Sequence, residues 1–267
     1  MVYSQSYHAL LLLAAPDQRE ANGVGMRMAA TQQIIPAACN GHHTLVIMAK
    51  APRPGKVKTR LVRSLPVSAV TELYRCLLDD TLTLARSLDG VKVAVMCPAA
   101  DREDLERVVG NAVPVVPQMG SGLAAALASV FAHFGSTGSG RIVALNSDSP
   151  HLPRSILQAA FHLLETFDVV VGPTHDGGYY LVGARMSHPG LFSTDAMGTA
   201  NALEALLAKA RALGLSVRLT DPFYDIDEAA DLSRLAEELQ LTPRRAPKTA
   251  KWLSEWTSVR QAKTGFE

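Results

Sequence analysis

The sequence predicts an α/β fold, a three-layer sandwich around a mostly parallel central sheet with one antiparallel insertion. Three observations lead there. From about residue 43 to residue 240, short apolar runs alternate with stretches of helical periodicity, the pattern of strands buried on both faces and joined by crossover helices. Most runs give way to sequence containing Gly, Pro or Asp, which turns the chain. Only at residues 169–172 and 179–183 do two strand-like runs stand too close together for a helix between them.

The first strand is read at residues 44–49 (TLVIMA), and the polar, Pro- and Gly-rich residues 50–58 follow it as a loop. Val67, Val70, Leu73, Tyr74, Leu77, Leu78, Leu84, Ala85 and Leu88 recur at helical spacing, and Asp89-Gly90 stops that helix. A second strand at residues 91–97, a short helix at 101–109 with acidic first turns and a third strand at 113–116 come next. An Ala-rich helix is expected at 122–134, a buried strand at 142–145 and a helix at 155–164 entered through Pro153. After the close strand pair, a helix at 200–213, a strand at 216–219 and a helix at 228–239 complete the unit. The chain thus divides into an extension at 1–42, expected to be poorly ordered, a folded unit at 43–240 and a basic tail at 241–267. Trp252 and Trp256 stand one helical turn apart in that tail, which reads as a short helix docking on the domain or as a helix that binds a partner.

Composition narrows the function. The 267 residues hold 26 Lys and Arg against 25 Asp and Glu, a net charge of +1 that argues against a nucleic-acid partner. Cys39, Cys76 and Cys97 are too few and too far apart for a disulfide framework or a zinc knuckle, which fits a reducing cytoplasm. The longest apolar run of the N-terminal extension, residues 9–15, falls short of the roughly 18 to 20 residues of a membrane span. It follows no Lys or Arg and precedes no small-x-small cleavage site, so it is not read as a secretion signal. No partner membrane is expected, and oligomerisation is left open.

The most informative stretch places Lys50, Arg53, Lys56, Lys58, Arg60 and Arg63 within fourteen residues, with no Asp or Glu between Ala21 and Thr71. Like charges on one loop repel, so an uncompensated cluster directly after a buried strand calls for an anion. Ligands of open α/β sheets sit at the carboxyl ends of strands, where this loop lies. Pro54 stiffens the loop and Gly55 permits close backbone approach, as a fixed phosphate cradle requires; an ordinary basic surface loop is the other reading. The spacing is not that of a Walker A loop.

Three further segments carry acids. Asp148, in Asn146-Ser147-Asp148-Ser149-Pro150 after a central strand, suits a hard divalent cation or a turn cap. Asp176 sits in a Gly-rich segment with Tyr179 and Tyr180, read as a tight turn or as the mouth of an acceptor pocket. Asp227, opening the last helix of the unit, caps that helix or supplies a second metal ligand opposite Asp148. Without a GxSxG elbow, paired-histidine spacing or a Cys/His arrangement, a covalent hydrolase is not expected.

Four pieces, MAKAPRPGKVKTRL at 48–61, SDSPHL at 147–152, GPTHDGGYYLVG at 172–183 and DIDEAADL at 225–232, together resemble the DUF2064 family, the rSAM/selenodomain-associated transferases. The resemblance covers residues 44–239 and implies a GT-A-like (Rossmann-like) fold of the nucleotide-diphospho-sugar transferase superfamily. The layout is also similar to the guanylyltransferases for 2-phospholactate and for the molybdenum cofactor. That similarity implies Mg²⁺ (or Mn²⁺) on Asp148 and Asp227, with Lys50, Lys56, Lys58 and Arg60 facing nucleotide phosphates. It also places Gly122, in the turn Gly120-Ser121-Gly122, close to the nucleotide. Two positions depart from the pattern: residues 193–200 lack a Trp, and Ser149 follows the metal-motif Asp.

The expected activity is nucleotidyl transfer from an NTP to a small phosphorylated acceptor, with Lys58 and Arg60 neutralising the leaving pyrophosphate. Glycosyl transfer from an NDP-sugar, with Asp176 activating the acceptor hydroxyl, is the alternative. A non-catalytic anion- or partner-binding module is the third reading.

Overall fold

The computed structural model describes residues 42–193 and 195–264, so the extension expected at 1–42 lies, but for His42, outside the described residues. Seven strands form one sheet in the order β3-β2-β1-β4-β6-β5-β7. They are β1 (His43–Met48), β2 (Val91–Cys97), β3 (Val115–Pro117), β4 (Ile142–Asn146), β5 (Val169–Pro173), β6 (Tyr179–Ala184) and β7 (Val217–Leu219). All pairings are parallel except those of β6, which runs antiparallel between β4 and β5, so the close strand pair is the antiparallel insertion. The observed α/β class is the expected one. The strand displaced most is β3, whose ladder starts at Val115 opposite Val95 rather than at residue 113. Pro114 has no amide to give a ladder, and only its carbonyl pairs, accepting from Val95 N–H at 2.9 Å.

Helices cover both faces: α1 (Val67–Arg86), α2 (Arg102–Val109), α3 (Gly122–Ser136), α4 (Arg154–Leu163), α5 (Ala202–Ala212), α6 (Ala229–Leu241) and α7 (Pro247–Thr264). Strand alternation sends Leu45, Ile47, Val143 and Leu145 to the face packed by α1, α2 and α4. Val46, Ile142 and Ala144 turn to the face packed by α3 and α5. A third, smaller core is central to the site. It joins Val57 and Leu61 of the basic loop, Leu73, Tyr74 and Leu77 of α1, Tyr224 and Ile226, and Leu235 and Leu253 of α6 and α7. The basic loop and the last acidic segment are therefore each pinned by apolar residues on either side of their charged ones.

Helix α7 is held by the buried carboxylate of Asp80 on α1, which accepts the N–H groups of Lys248 at 3.2 Å and Thr249 at 2.8 Å. Those amides have no partner within their own helix, so Asp80 caps α7 from outside. The Lys248 ammonium adds an ion pair to Asp79 at 2.9 Å. Trp252 and Trp256 stack with ring centres 5.4 Å apart and pack on the third core. Asp80→Ala strands two amides, at a cost of about 1–3 kcal/mol. We expect a lower Tm and faster amide exchange in residues 248–258; unchanged exchange there would contradict the capping role.

Candidate functional site

Parallel pairing of β1 with β4 sets Met48 beside Asn146, so the loops leaving the two strands start side by side at the carboxyl edge of the sheet. The third segment is tied to them by backbone: Ile226 N–H donates to the Asp148 carbonyl at 3.0 Å, and the buried Ser149 hydroxyl donates to the Tyr224 carbonyl at 2.9 Å. Ser149, where the sequence departs from the expected pattern, is thus a structural clamp between the two acidic segments. On the other side, the Tyr74 hydroxyl accepts Lys50 N–H at 3.1 Å and shares a 3.1 Å hydrogen bond with Ser147. Burial, with the Asp148 charge, pushes that phenol up to about 12, so it stays neutral.

At the junction the Lys58 ammonium stands 3.0 Å from Asp148 Oδ2 and 2.8 Å from Asp227 Oδ1, with its side chain only 4% exposed. Burial opposes its charge, but the two carboxylates outweigh that penalty and raise its pKa. Lys58 has φ +47°, the left-handed region that a side chain enters at a cost; it is the one described non-glycine residue with positive φ. Arg60, 64% exposed, reaches Asp227 Oδ2 at 3.4 Å. Asp227 is held below the usual carboxylate range: burial works against its charge, and Lys58 and Arg60 prevail.

Asp225 completes the cluster and was not among the metal ligands expected from sequence. One carboxylate oxygen each from Asp148, Asp225 and Asp227 lies within 4.8 Å of the others. Burial first, then Asp227 and Asp148, push the Asp225 carboxyl up to about 6, while Lys58 pulls it down. Three hard oxygen donors at this spacing suit a small divalent cation such as Mg²⁺ or Mn²⁺. The alternation in Asp225-Ile226-Asp227, with Ile226 buried, was the available signal. Capping of α6 falls to Glu228, with Asp231 reciprocating by accepting Glu228 N–H at 2.7 Å, which leaves the Asp227 carboxylate to Lys58.

A cleft of about 640 Å³ opens over this junction, lined by Lys50, Lys56, Lys58, Arg60, Asp148, Asp227 and Gly122 among others. Among the described residues no carboxylate lies within ion-pair distance of Lys50 or Lys56. The basic loop is otherwise less uncompensated than the sequence suggested. Arg53 pairs with Asp101 at 2.9 Å and Asp104 at 2.6 Å, and Asp101 also accepts Ala51 N–H at 2.9 Å. These acids, some fifty residues away, anchor the loop to the end of β2.

Other expected residues stand elsewhere. Pro54 and Gly55 (φ +71°) form the exposed tip of the loop and do not line this cleft. Asp176 also lies off its lining: one of its oxygens accepts the Thr174 hydroxyl and Gly178 N–H, holding the β5–β6 turn. That turn needs its glycine, because a Cβ on Gly177 (φ +89°) would meet the Ala200 carbonyl oxygen at 2.0 Å. Tyr180 is buried, with its hydroxyl hydrogen-bonded to Thr220 and to the Asp221 carbonyl, each at 2.9 Å.

His151 of the second motif is buried between Phe223 and Tyr224, with ring centres 4.8 and 4.7 Å away. Glu238 Oε2 is 3.7 Å from its Nε2, too far for a hydrogen bond. Burial, with Arg234 and Arg245 adding to it, lowers its pKa to about 3. The unfolded chain binds that proton near the ordinary value of about 6.5, so the stability His151 contributes is full above that pH and lost as pH falls toward 3. His151→Phe is expected to flatten acid unfolding over this window; a stability profile parallel to that of the wild type would contradict it.

The fold is that of the nucleotide-diphospho-sugar transferases. A solved structure described as a candidate nucleotide-diphospho-sugar transferase from Desulfovibrio desulfuricans G20 is 28% identical, with TM-score 0.76, over 83% of this chain and 98% of its own. A nucleotidyl transferase from Methanothermobacter thermautotroptrophicus shares the fold at TM-score 0.54 and 17% identity, over 75% of this chain and 99% of its own. Within that class, the family described as an uncharacterized protein conserved in bacteria (DUF2064) matches residues 81–199, which contain the second and third motifs, in line with the resemblance read from the sequence. No curated protein matches the sequence. Among the described residues no helix is long and apolar enough to cross a membrane.

Proposed function

We propose that this chain is a metal-dependent nucleotidyltransferase that joins the nucleotidyl group of an NTP to a small phosphorylated acceptor and releases pyrophosphate. The observation that carries this reading is the meeting of Lys50, Lys56, Lys58 and Arg60 with Asp148 and Asp227 in one cleft, with Asp225 completing the acidic cluster beside them. A triphosphate brings close to four negative charges, and the exposed Lys50, Lys56 and Arg60 offset three of them. The three carboxylates would hold Mg²⁺ or Mn²⁺, which when bound neutralises phosphate oxygens as a Lewis acid. A phosphate oxygen of the acceptor attacks the α-phosphorus, and Lys58 and Arg60 stabilise the charge that grows on the departing pyrophosphate. No covalent intermediate with the protein is needed. The unit performing this chemistry is residues 43–240, with the tail docked on it and the cytoplasm as its compartment.

Glycosyl transfer from an NDP-sugar is the second reading, favoured by the description of the 28% identical structure. It ranks lower because the carboxylate that would activate an acceptor hydroxyl, Asp176, is engaged in a turn away from the cleft lining. A thermal-shift series with Mg²⁺ separates the two, since a ligand that binds only the folded state raises Tm. Stabilisation by NTPs and not by NDP-sugars is expected. The reverse pattern sinks nucleotidyl transfer, and no shift with either class favours a non-catalytic module.

A further inference from the structure

We propose that the Lys58 ammonium is a built-in occupant of the metal site, so that a divalent cation enters only as Lys58 swings out, toward the phosphates of an arriving nucleotide. The inference rests on the proposed metal reading and adds a regulation to it. Lys58 Nζ lies between Asp148 Oδ2 at 3.0 Å and Asp227 Oδ1 at 2.8 Å, bridging two of the three carboxylates of the cluster. An ion such as Mg²⁺ takes its oxygens at about 2.0–2.1 Å, so one held by Asp148 and Asp227 would need the carboxylates that the ammonium now engages. Two cations so close together repel strongly where little water intervenes, so the site admits one or the other.

The swing belongs to the side chain, because the backbone is held. Lys58 holds its strained φ of +47° while forming two ion pairs, and its neighbours Val57 and Leu61 are buried in the third core. Freed from the carboxylates, Lys58 still borders the cleft beside Arg60 and Lys56. An anionic ligand there offers the ammonium a second set of oxygens and leaves the carboxylates to the metal. Metal and nucleotide then bind with positive coupling, each raising the affinity for the other by the same factor. A protein so built does not hold its metal tightly until nucleotide arrives.

The test is Mn²⁺ titration, followed by electron paramagnetic resonance, of nucleotide-free wild type, Lys58→Met and Arg60→Met. Lys58→Met is expected to bind Mn²⁺ at least about tenfold more tightly than wild type. Arg60→Met removes a nearby charge that does not bridge the carboxylates and is expected to change affinity much less. Equal or weaker binding by Lys58→Met, with Asp148→Asn still abolishing binding, overturns the displacement and leaves the metal reading standing. If no protein binds Mn²⁺, with or without an NTP, the metal reading itself fails. A second readout needs no variant: Mn²⁺ at a concentration that the titration shows to saturate the wild type should speed reductive methylation of Lys58, measured by mass spectrometry, and an unchanged rate overturns the displacement.

Discussion

Asp148→Asn is expected to leave the protein folded and to lower Mg²⁺-dependent nucleotidyl transfer by at least about 100-fold, since a bound cation is worth several kcal/mol of charge stabilisation. The backbone role of this position, its carbonyl accepting Ile226 N–H at 3.0 Å, survives the substitution. Lys58 keeps Asp227 at 2.8 Å, so the ammonium is not left buried and alone. The variant should therefore unfold near the wild-type Tm. NTP should stabilise it equally with and without Mg²⁺. Full turnover in Asp148→Asn would remove it from the metal ligands, and a collapse in Tm would assign it a structural role instead.

Lys58→Ala carries the second large effect, and both stability and nucleotide affinity should fall. Without nucleotide, Asp148, Asp225 and Asp227 lose the cation between them and repel one another. These carboxylates are partly exposed, and water screens some of that repulsion, so a loss of roughly 1–3 kcal/mol is expected, less than for a fully buried pair. Mg²⁺ should restore much of it by taking the vacated place. NTP binding should fall by about ten- to a hundredfold, the value of a charge-assisted hydrogen bond, while acceptor binding changes little. Unchanged NTP affinity would mean that Lys58 never reaches the phosphates.

Sequence reading located the sheet and the antiparallel insertion because their signals are local: continuous apolar runs for the parallel strands and six intervening residues that leave no room for a helix. It placed Lys58, Asp148 and Asp227 at one edge because strand ends converge in such a fold. What it missed depends on contacts between distant residues. Arg53 counts among the uncompensated cations of the loop until Asp101 and Asp104 come beside it. Asp225 is an acid of the fourth motif without a metal role in the sequence reading, and it joins Asp148 and Asp227 because Ile226, between the two acids, is buried. Asp227 looked like the cap of α6, but capping falls to Glu228 one residue on. Asp176 and Gly55 have the composition of ligand-binding segments, yet a turn needs Asp176, and Gly55 lies at an exposed loop tip. In each case the residue type was informative and its partner was set by tertiary packing.

The central claim is that the cationic loop and the acidic cluster form one site for a nucleotide and its metal. Calorimetric titration of each NTP into the wild-type protein, with Mg²⁺ and then with a chelator, tests it most directly. A single site per chain, whose affinity for at least one NTP drops when the metal is withdrawn and in Asp148→Asn, is the predicted result. Equal affinity with and without metal, or no binding of any NTP under either condition, would contradict it.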